Sequence, residues 1–282
     1  MTITKEVDKS TTIIFLHIPK TAGLTLYEIL NREYGRNYIY TFVGGRQRLQ
    51  QSMDSFAGQT ETERANYRLL RGHTPFGIHN LVPGPATYIT FLRDPIKRVV
   101  SHYYYVKNNP HHLLHEAVTS QNMSLQMYLS SGINYELDNG QTRQLAGITD
   151  EIPYGACDQE LLDQAIVNID RCFSLVGLTE RFDASLLIMQ RLLGWHKTPL
   201  YVRQNVSRSQ SARPELSAET RQLIEQYNDL DRALYAYGRT RFTALLKTIG
   251  EIEMRRFNQL NRLYYPFGKL QSVIRTNLRK LL

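Results

Sequence analysis

The stretch HIPKTAGLTL, residues 17–26, places a lysine, two threonines and a single glycine between an apolar run and an apolar helix-forming segment. A phosphate loop needs converging backbone N–H groups, small residues that let the ligand approach, a helix N-terminus with its partial positive charge, and often one lysine. Pro19, Lys20, Thr21, Ala22, Gly23, Leu24 and Thr25 supply all four. The triphosphate pattern GxxxxGK[ST] is absent, because Lys20 precedes the one glycine, Gly23, instead of following a second. An ordinary nucleoside-triphosphatase loop is thereby set aside.

Elements of regular structure must hold this loop. Ile13 to His17 reads as a short buried strand and Leu24 to Tyr34 as the helix after it, with Leu26, Ile29 and Leu30 on one face. A polar stretch from 41 to 66 follows, then YRLLRGH, a turn-rich VPGPA segment and a second strong strand, TYITFL. That strand ends at Arg93-Asp94-Pro95, where a helix starts with proline just inside it. Downstream the pattern is mostly helical, interrupted by strand-like FSLVGL. Strands joined by helices imply an α/β, P-loop-like three-layer fold: a central, mainly parallel sheet flanked by helices, with a helical C-terminal extension. The expected division is a domain over residues 1–250 and a basic amphipathic extension over 251–282.

At this point the sequence resembles PAPS-dependent sulfotransferases, where PAPS is 3′-phosphoadenosine 5′-phosphosulfate. The likeness is to carbohydrate enzymes of the heparan sulfate 2-O-sulfotransferase type and their bacterial relatives. HIPKTAGLTL looks like their loop for the 5′-phosphosulfate. Their second element, an Arg at a strand end and a Ser about eight residues on, grips the nucleotide's 3′-phosphate. FLRDPIKRVVSHYYY puts Arg93 and Ser101 at that spacing. Arg93 offers a planar fork of donors suited to a phosphate dianion. The likeness covers roughly residues 11 to 245 and implies PAPS as co-substrate, PAP as product, and no metal.

Sulfuryl transfer, like phosphoryl transfer, needs positioning, charge stabilisation and a base for the acceptor hydroxyl. Lys20 is the natural cation. The resemblance assigns the base to His73 in RGHTPFGIH, with His79 in reserve. The family has a second His two positions before the base, where this chain has Arg71. Arg71, His79 and Arg143 are the expected acceptor contacts; Gln141, Thr142 and Arg143 resemble a block near the acceptor cleft, and Arg143 would meet an acidic sugar. His17 is read as orienting the loop or the nucleotide, or as a buried strand-end residue. In NPHHLLHEA, His111, His112 and His115 lack the HExxH arrangement, which favours a polar segment over the acceptor site rather than a metal site. The run from Arg203 to Arg213 looks like the loop that closes over the nucleotide, with Ser207 and Arg208 as its contacts.

Composition narrows the alternatives. The net charge of +8 invites a nucleic-acid reading, but seven Lys/Arg against two Glu lie in 251–282, leaving 27 basic and 24 acidic residues in 1–250. That balance excludes a chain built to neutralise a polyphosphate, so no nucleic-acid partner is expected. No apolar run approaches the roughly 20 residues of a membrane span. The N-terminus lacks a secretory pattern, so the expected location is the cytoplasm. The tail's basic residues, interleaved with Leu, Tyr and Phe, suit an interfacial helix on the inner face of a membrane, or an oligomerisation arm. Cys157 and Cys172 have no ligand spacing and read as free thiols. The expected acceptor is a carbohydrate or glycolipid. Two other classes stay open: a P-loop kinase or ATPase using Asp94 toward Mg²⁺, and a non-enzymatic protein that binds anionic surfaces.

Overall fold

A computed structural model describes residues 6–148, 151–203 and 215–281. In chain order the elements are β1 (Thr12–Leu16), α1 (Gly23–Tyr34), β2 (Ile39–Thr41), α2 (Arg46–Ala57), α3 (Glu61–Ala65), β3 (Leu69–Gly72), β4 (Ala86–Leu92), α4 (Pro95–Lys107), α5 (His115–Ser120) and α6 (Leu125–Ser130). They continue with α7 (Gly140–Ala146), α8 (Gln159–Cys172), β5 (Phe173–Leu178), α9 (Phe182–Leu192), α10 (Ala218–Tyr227), α11 (Asp229–Leu246) and α12 (Glu251–Leu281).

Among the described residues five strands form one sheet in the order β2-β3-β1-β4-β5. Every pairing is parallel. This is the expected α/β architecture, and it follows from the strands themselves: β1 is buried along its whole length and β4 over its last five residues. Parallel strands are covered on both faces, which is why TIIFL and ATYITFL read as continuous apolar runs. Strand β2, only three residues long and half exposed at the sheet edge, leaves no such run and was not foreseen.

The main core surrounds the sheet, with Phe15, Leu26, Leu30, Phe91 and Leu186 all fully buried. A second core, around Val99, Tyr103, Tyr128, Leu137 and Ile224, fastens α4, α6 and α10 to one another beside the C-terminal end of the sheet. In open α/β sheets that end, where the order of connections reverses, is where ligands bind. Here the reversal falls between β1 and β4, because the chain leaves β1 toward the edge strand β2 on one side and leaves β4 toward β5 on the other.

The extension is helical, as expected, but its first half is packed on the body. Phe257 belongs to the main core, and Tyr201 N donates to Asn261 Oδ1 at 2.8 Å. Cys157 and Cys172 are free thiols.

Candidate active site

The loop from His17 to Thr25 leaves the C-terminal end of β1 and enters α1 through an unusual backbone. Lys20 and Ala22 both have positive φ, 71° and 67°. Non-glycine residues pay about 1–3 kcal/mol to sit there, and such strain concentrates at ligand sites. Ala22 is the N-cap of α1 and provides no side-chain cap, and the first turn has no acidic residue. The helices α4, α8 and α10, by contrast, are capped by Asp94, Asp158 and Ser217. A helix start capped by alanine presents its N–H groups to whatever anion arrives.

Gly23 is required by contact rather than by φ. A Cβ there would fall 1.8 Å from His17 Nε2, so the glycine lets the buried imidazole lie against the start of the helix. His17 Nδ1 is 3.2 Å from the Tyr27 hydroxyl. Burial first, then the nearness of His73, Lys20 and Arg71, holds the His17 imidazole well below its ordinary range, so it is neutral at working pH. The ring is buried at the strand end against Gly23 and Tyr27.

His73 follows β3 and is half-buried. Its ring lies 4.2 Å from that of His17, centroid to centroid, and its Nδ1 is 2.8 Å from the His17 carbonyl oxygen. A carbonyl can only accept, so Nδ1 carries the proton and Nε2 of the neutral ring keeps its lone pair. That is the tautomer a general base needs. Lys20 Nζ sits 3.8 Å over the Tyr105 ring of α4.

Arg93, at the end of β4, joins the two anion motifs. Its Nη1 donates to the Lys20 carbonyl at 2.9 Å. Its own backbone is clamped by Gln141, which accepts from Arg93 N at 2.9 Å and donates to Arg93 O at 3.0 Å. Asp94 caps α4 by accepting from Lys97 N at 2.9 Å. Ser101 is half-buried two turns into α4. Thr21 is buried and gives its hydroxyl proton to Ile18 O at 2.7 Å.

The expected acceptor contacts fare unequally. Arg71 lies 4.2 Å over the Tyr27 ring and donates to Tyr27 O and Thr41 Oγ1, beside His17. His79 is tied through Nδ1 to the Tyr88 hydroxyl at 2.9 Å, over the first half of β4 rather than the C-terminal end that carries Arg93. Arg143 is a correction: it is 2% exposed and its guanidinium is spent on Asp138 and the Ile152 and Pro153 carbonyls, which leaves no face for a sugar. Ser207 and Arg208 lie outside the described residues.

Sequence reasoning missed the positioning role of α7 and a cluster on α4. Gln144 Nε2 donates to the His17 and Thr74 carbonyls, and Asp231 accepts from Gln141 N, Thr142 N and Thr142 Oγ1. On α4, Arg98, His102 and Tyr105 recur at i, i+4 and i+7 and so share one face. That spacing was available in the sequence.

The whole defines an α/β protein with an anion loop, a cation and an oriented histidine gathered at the C-terminal end of a parallel sheet. The chain belongs to the galactose-3-O-sulfotransferase family, whose profile matches residues 2–265. It is similar to the galactosylceramide sulfotransferase of Bos taurus, 29% identical over 261 residues, covering 86% of this chain and 60% of that protein. It is 25% identical to human galactose-3-O-sulfotransferase 2, covering 87% and 64%. Heparan-sulfate 6-O-sulfotransferase 1-A of Danio rerio is 26% identical, with 96% and 74% covered. The chain thus spans under two-thirds of the length of the first two relatives. A mouse sulfotransferase solved with PAP aligns over 82% of this chain and 90% of its own, at 12% identity and a TM-score of 0.40. The expected sulfotransferase resemblance thus stands, and the family matched is the galactose-3-O type.

Proposed function

We propose that this chain transfers the sulfuryl group of PAPS to a hydroxyl of a carbohydrate or glycolipid, by in-line displacement. The observation that carries the reading is the hydrogen bond from Arg93 to the Lys20 carbonyl. It joins two anion-ready ends, 73 residues apart in sequence, into one site suited to a ligand with phosphate at both ends. The alanine-capped start of α1 and Lys20 receive the phosphosulfate end; Arg93 and Ser101 take the 3′-phosphate.

His73 Nε2 removes the proton of the acceptor hydroxyl as its oxygen bonds to sulfur and the bond from sulfur to the bridging oxygen breaks. Lys20 stabilises the charge that grows on that bridging oxygen, and PAP departs. The scheme uses no metal. The sequence relatives favour a galactosyl acceptor, by their names alone. A kinase or ATPase reading finds less support, because Thr21 is buried with its hydroxyl turned to Ile18 O and the Asp94 carboxylate caps α4, and these are the two groups Mg²⁺ would need.

The test is calorimetric binding of PAP together with transfer of labelled sulfate from PAPS to phenyl β-galactoside. Wild type binds PAP and transfers label, and Lys20→Ala loses both. A wild type that binds no PAP, or a Lys20→Ala variant that turns over like wild type, overturns the reading.

A further inference from the structure

A row of rings leads away from Lys20. Its ammonium rests on Tyr105; the Tyr105 and His112 rings are 5.5 Å apart, and His112 and His102 are 5.9 Å apart. The row ends at Glu136, whose Oε2 lies 3.3 Å from His102 Nε2. Arg98 Nη2 donates to the Glu136 carbonyl, and Glu136 N donates to Asn134 Oδ1 at 3.0 Å, so the backbone of this residue is pinned from both sides. The side chain is 41% exposed while Oε2 is closed to solvent against His102, so the part of the carboxylate open to a ligand is the edge away from Oε2.

Neither neighbour needs this carboxylate for its own sake. Arg98 already has the buried Asp231, at 3.6 Å. His102 is held by the Tyr128 hydroxyl and by Asn134. Burial would raise the Glu136 carboxyl, but His102, Arg98 and His73 together pull it down to about 2. A group that acidic stays ionised and is too weak a base to take a proton from an alcohol. What it can do is accept a charge-assisted hydrogen bond.

We propose that Glu136, backed by His102, selects the acceptor: its carboxylate accepts a hydrogen bond from a second, non-reacting hydroxyl of a neutral sugar and repels acceptors that carry an anion at that position. The proposal rests on the sulfuryl-transfer reading and names the substrate class of the same site. Discrimination of this kind has two sources, a bond made only by a hydroxyl donor and like-charge repulsion of a carboxylate.

The test compares phenyl β-galactoside with phenyl β-galacturonide, the same ring with an alcohol or a carboxylate at C6, for wild type, Glu136→Gln and Glu136→Asp. Glu136→Gln is expected to lower kcat/KM for the galactoside about tenfold to a hundredfold, mainly through KM. It raises the galacturonide-to-galactoside ratio at least about tenfold and leaves PAP affinity unchanged, while Glu136→Asp keeps part of the preference. Equal losses on both acceptors, or no loss on either, overturn the assignment. Wild type that transfers to neither acceptor fails the sulfuryl-transfer reading itself, a different result from a wild type that is active but indifferent to residue 136.

A separate observation concerns α12. One side faces the body: Phe257 is buried, Tyr264 accepts from Arg32, and a Cβ at Gly268 would meet Val202 at 2.6 Å. The opposite side carries Ile252, Leu263, Phe267 and Leu270, between 61% and 81% exposed. At 100° per residue these four fall in one stripe together with the exposed Arg256, and the exposed Arg255, Arg262 and Lys269 fall in a second stripe along its flank, where Glu251 pairs with Arg255. An apolar stripe beside a basic one matches an anionic bilayer surface, which offers acyl boundary and phosphate together.

We infer that this face of α12 sits on anionic lipid. The full chain is expected to co-sediment with phosphatidylcholine vesicles containing phosphatidylserine and not with phosphatidylcholine alone. Reversing Arg255, Arg262 and Lys269 to Glu weakens binding roughly a hundredfold, and Leu263→Glu with Phe267→Glu abolishes it, while PAP affinity is unchanged. Absence of wild-type binding, or binding indifferent to both sets, overturns the inference. A dimer of the full chain that Leu263→Glu with Phe267→Glu dissolves assigns the face to a second copy instead.

Discussion

Loop 17–25 and helix α7 both hold the site, by opposite means. The loop is built from backbone: two positive φ values, a helix start capped by alanine, and a glycine that makes room for His17. Helix α7 is built from side chains. Gln141, Thr142, Arg143 and Gln144 are all buried, and each reaches a different part of the molecule: Arg93, Asp231, Asp138, and the carbonyls of His17 and Thr74. Under the proposed function the loop faces a ligand, and a reacting side chain beside it can change with little structural cost. The helix faces protein on every side, so each of its polar groups is a condition of folding.

His73→Asn gives the largest expected effect and falls on the loop side of that contrast. Turnover should drop roughly 100- to 10,000-fold, with PAP affinity unchanged and the melting temperature within about 2 °C. Steady-state kinetics beside a thermal melt would check it. Asp231→Ala is the counterpart for α7. It strips Arg98 of its buried carboxylate and leaves two backbone N–H groups and the Thr142 hydroxyl without an acceptor. The expected cost is about 3–5 kcal/mol in denaturant unfolding. A variant that unfolds like wild type would mean that α7 is not the brace its hydrogen bonds describe.

Gln141→Ala lies between the two regions. It removes both clamps on the Arg93 backbone, and the expected loss is about 1–3 kcal/mol of stability accompanied by weaker PAP binding, read in one set of melts with and without PAP. Loss of stability alone would separate the brace from the donor site.

The same contrast explains what could be read in advance. The loop was legible because its residues are consecutive, and β1, β4 and β5 because parallel strands buried on both faces leave unbroken apolar runs. In helix α7, Arg143 was read as an acceptor contact because nothing in QTRQ itself announces that its polar groups are buried against protein. Its burial rests mostly on partners distant in sequence, among them Asp231 about 90 positions away and Arg93 48 positions away. Glu136 carries no local signal either: its neighbours His102 and Arg98 come from another helix, and the carboxylate acquires meaning only where the two elements meet.

The smallest expected effect is a pH dependence that begins at the loop. Burial, and then His73, Lys20 and Arg71, keep the folded His17 well below the ordinary value of 6.5. In the unfolded chain the ring takes a proton near 6.5, so below that pH the unfolded state binds a proton that the folded state refuses. The stability linked to His17 is therefore complete above 6.5 and is lost as pH falls through the folded value. Denaturation midpoints measured from about pH 7 to about pH 5 should fall for wild type, and His17→Asn should flatten part of that slope. An unchanged slope in the variant would remove His17 as the source and leave the loop held by its backbone alone.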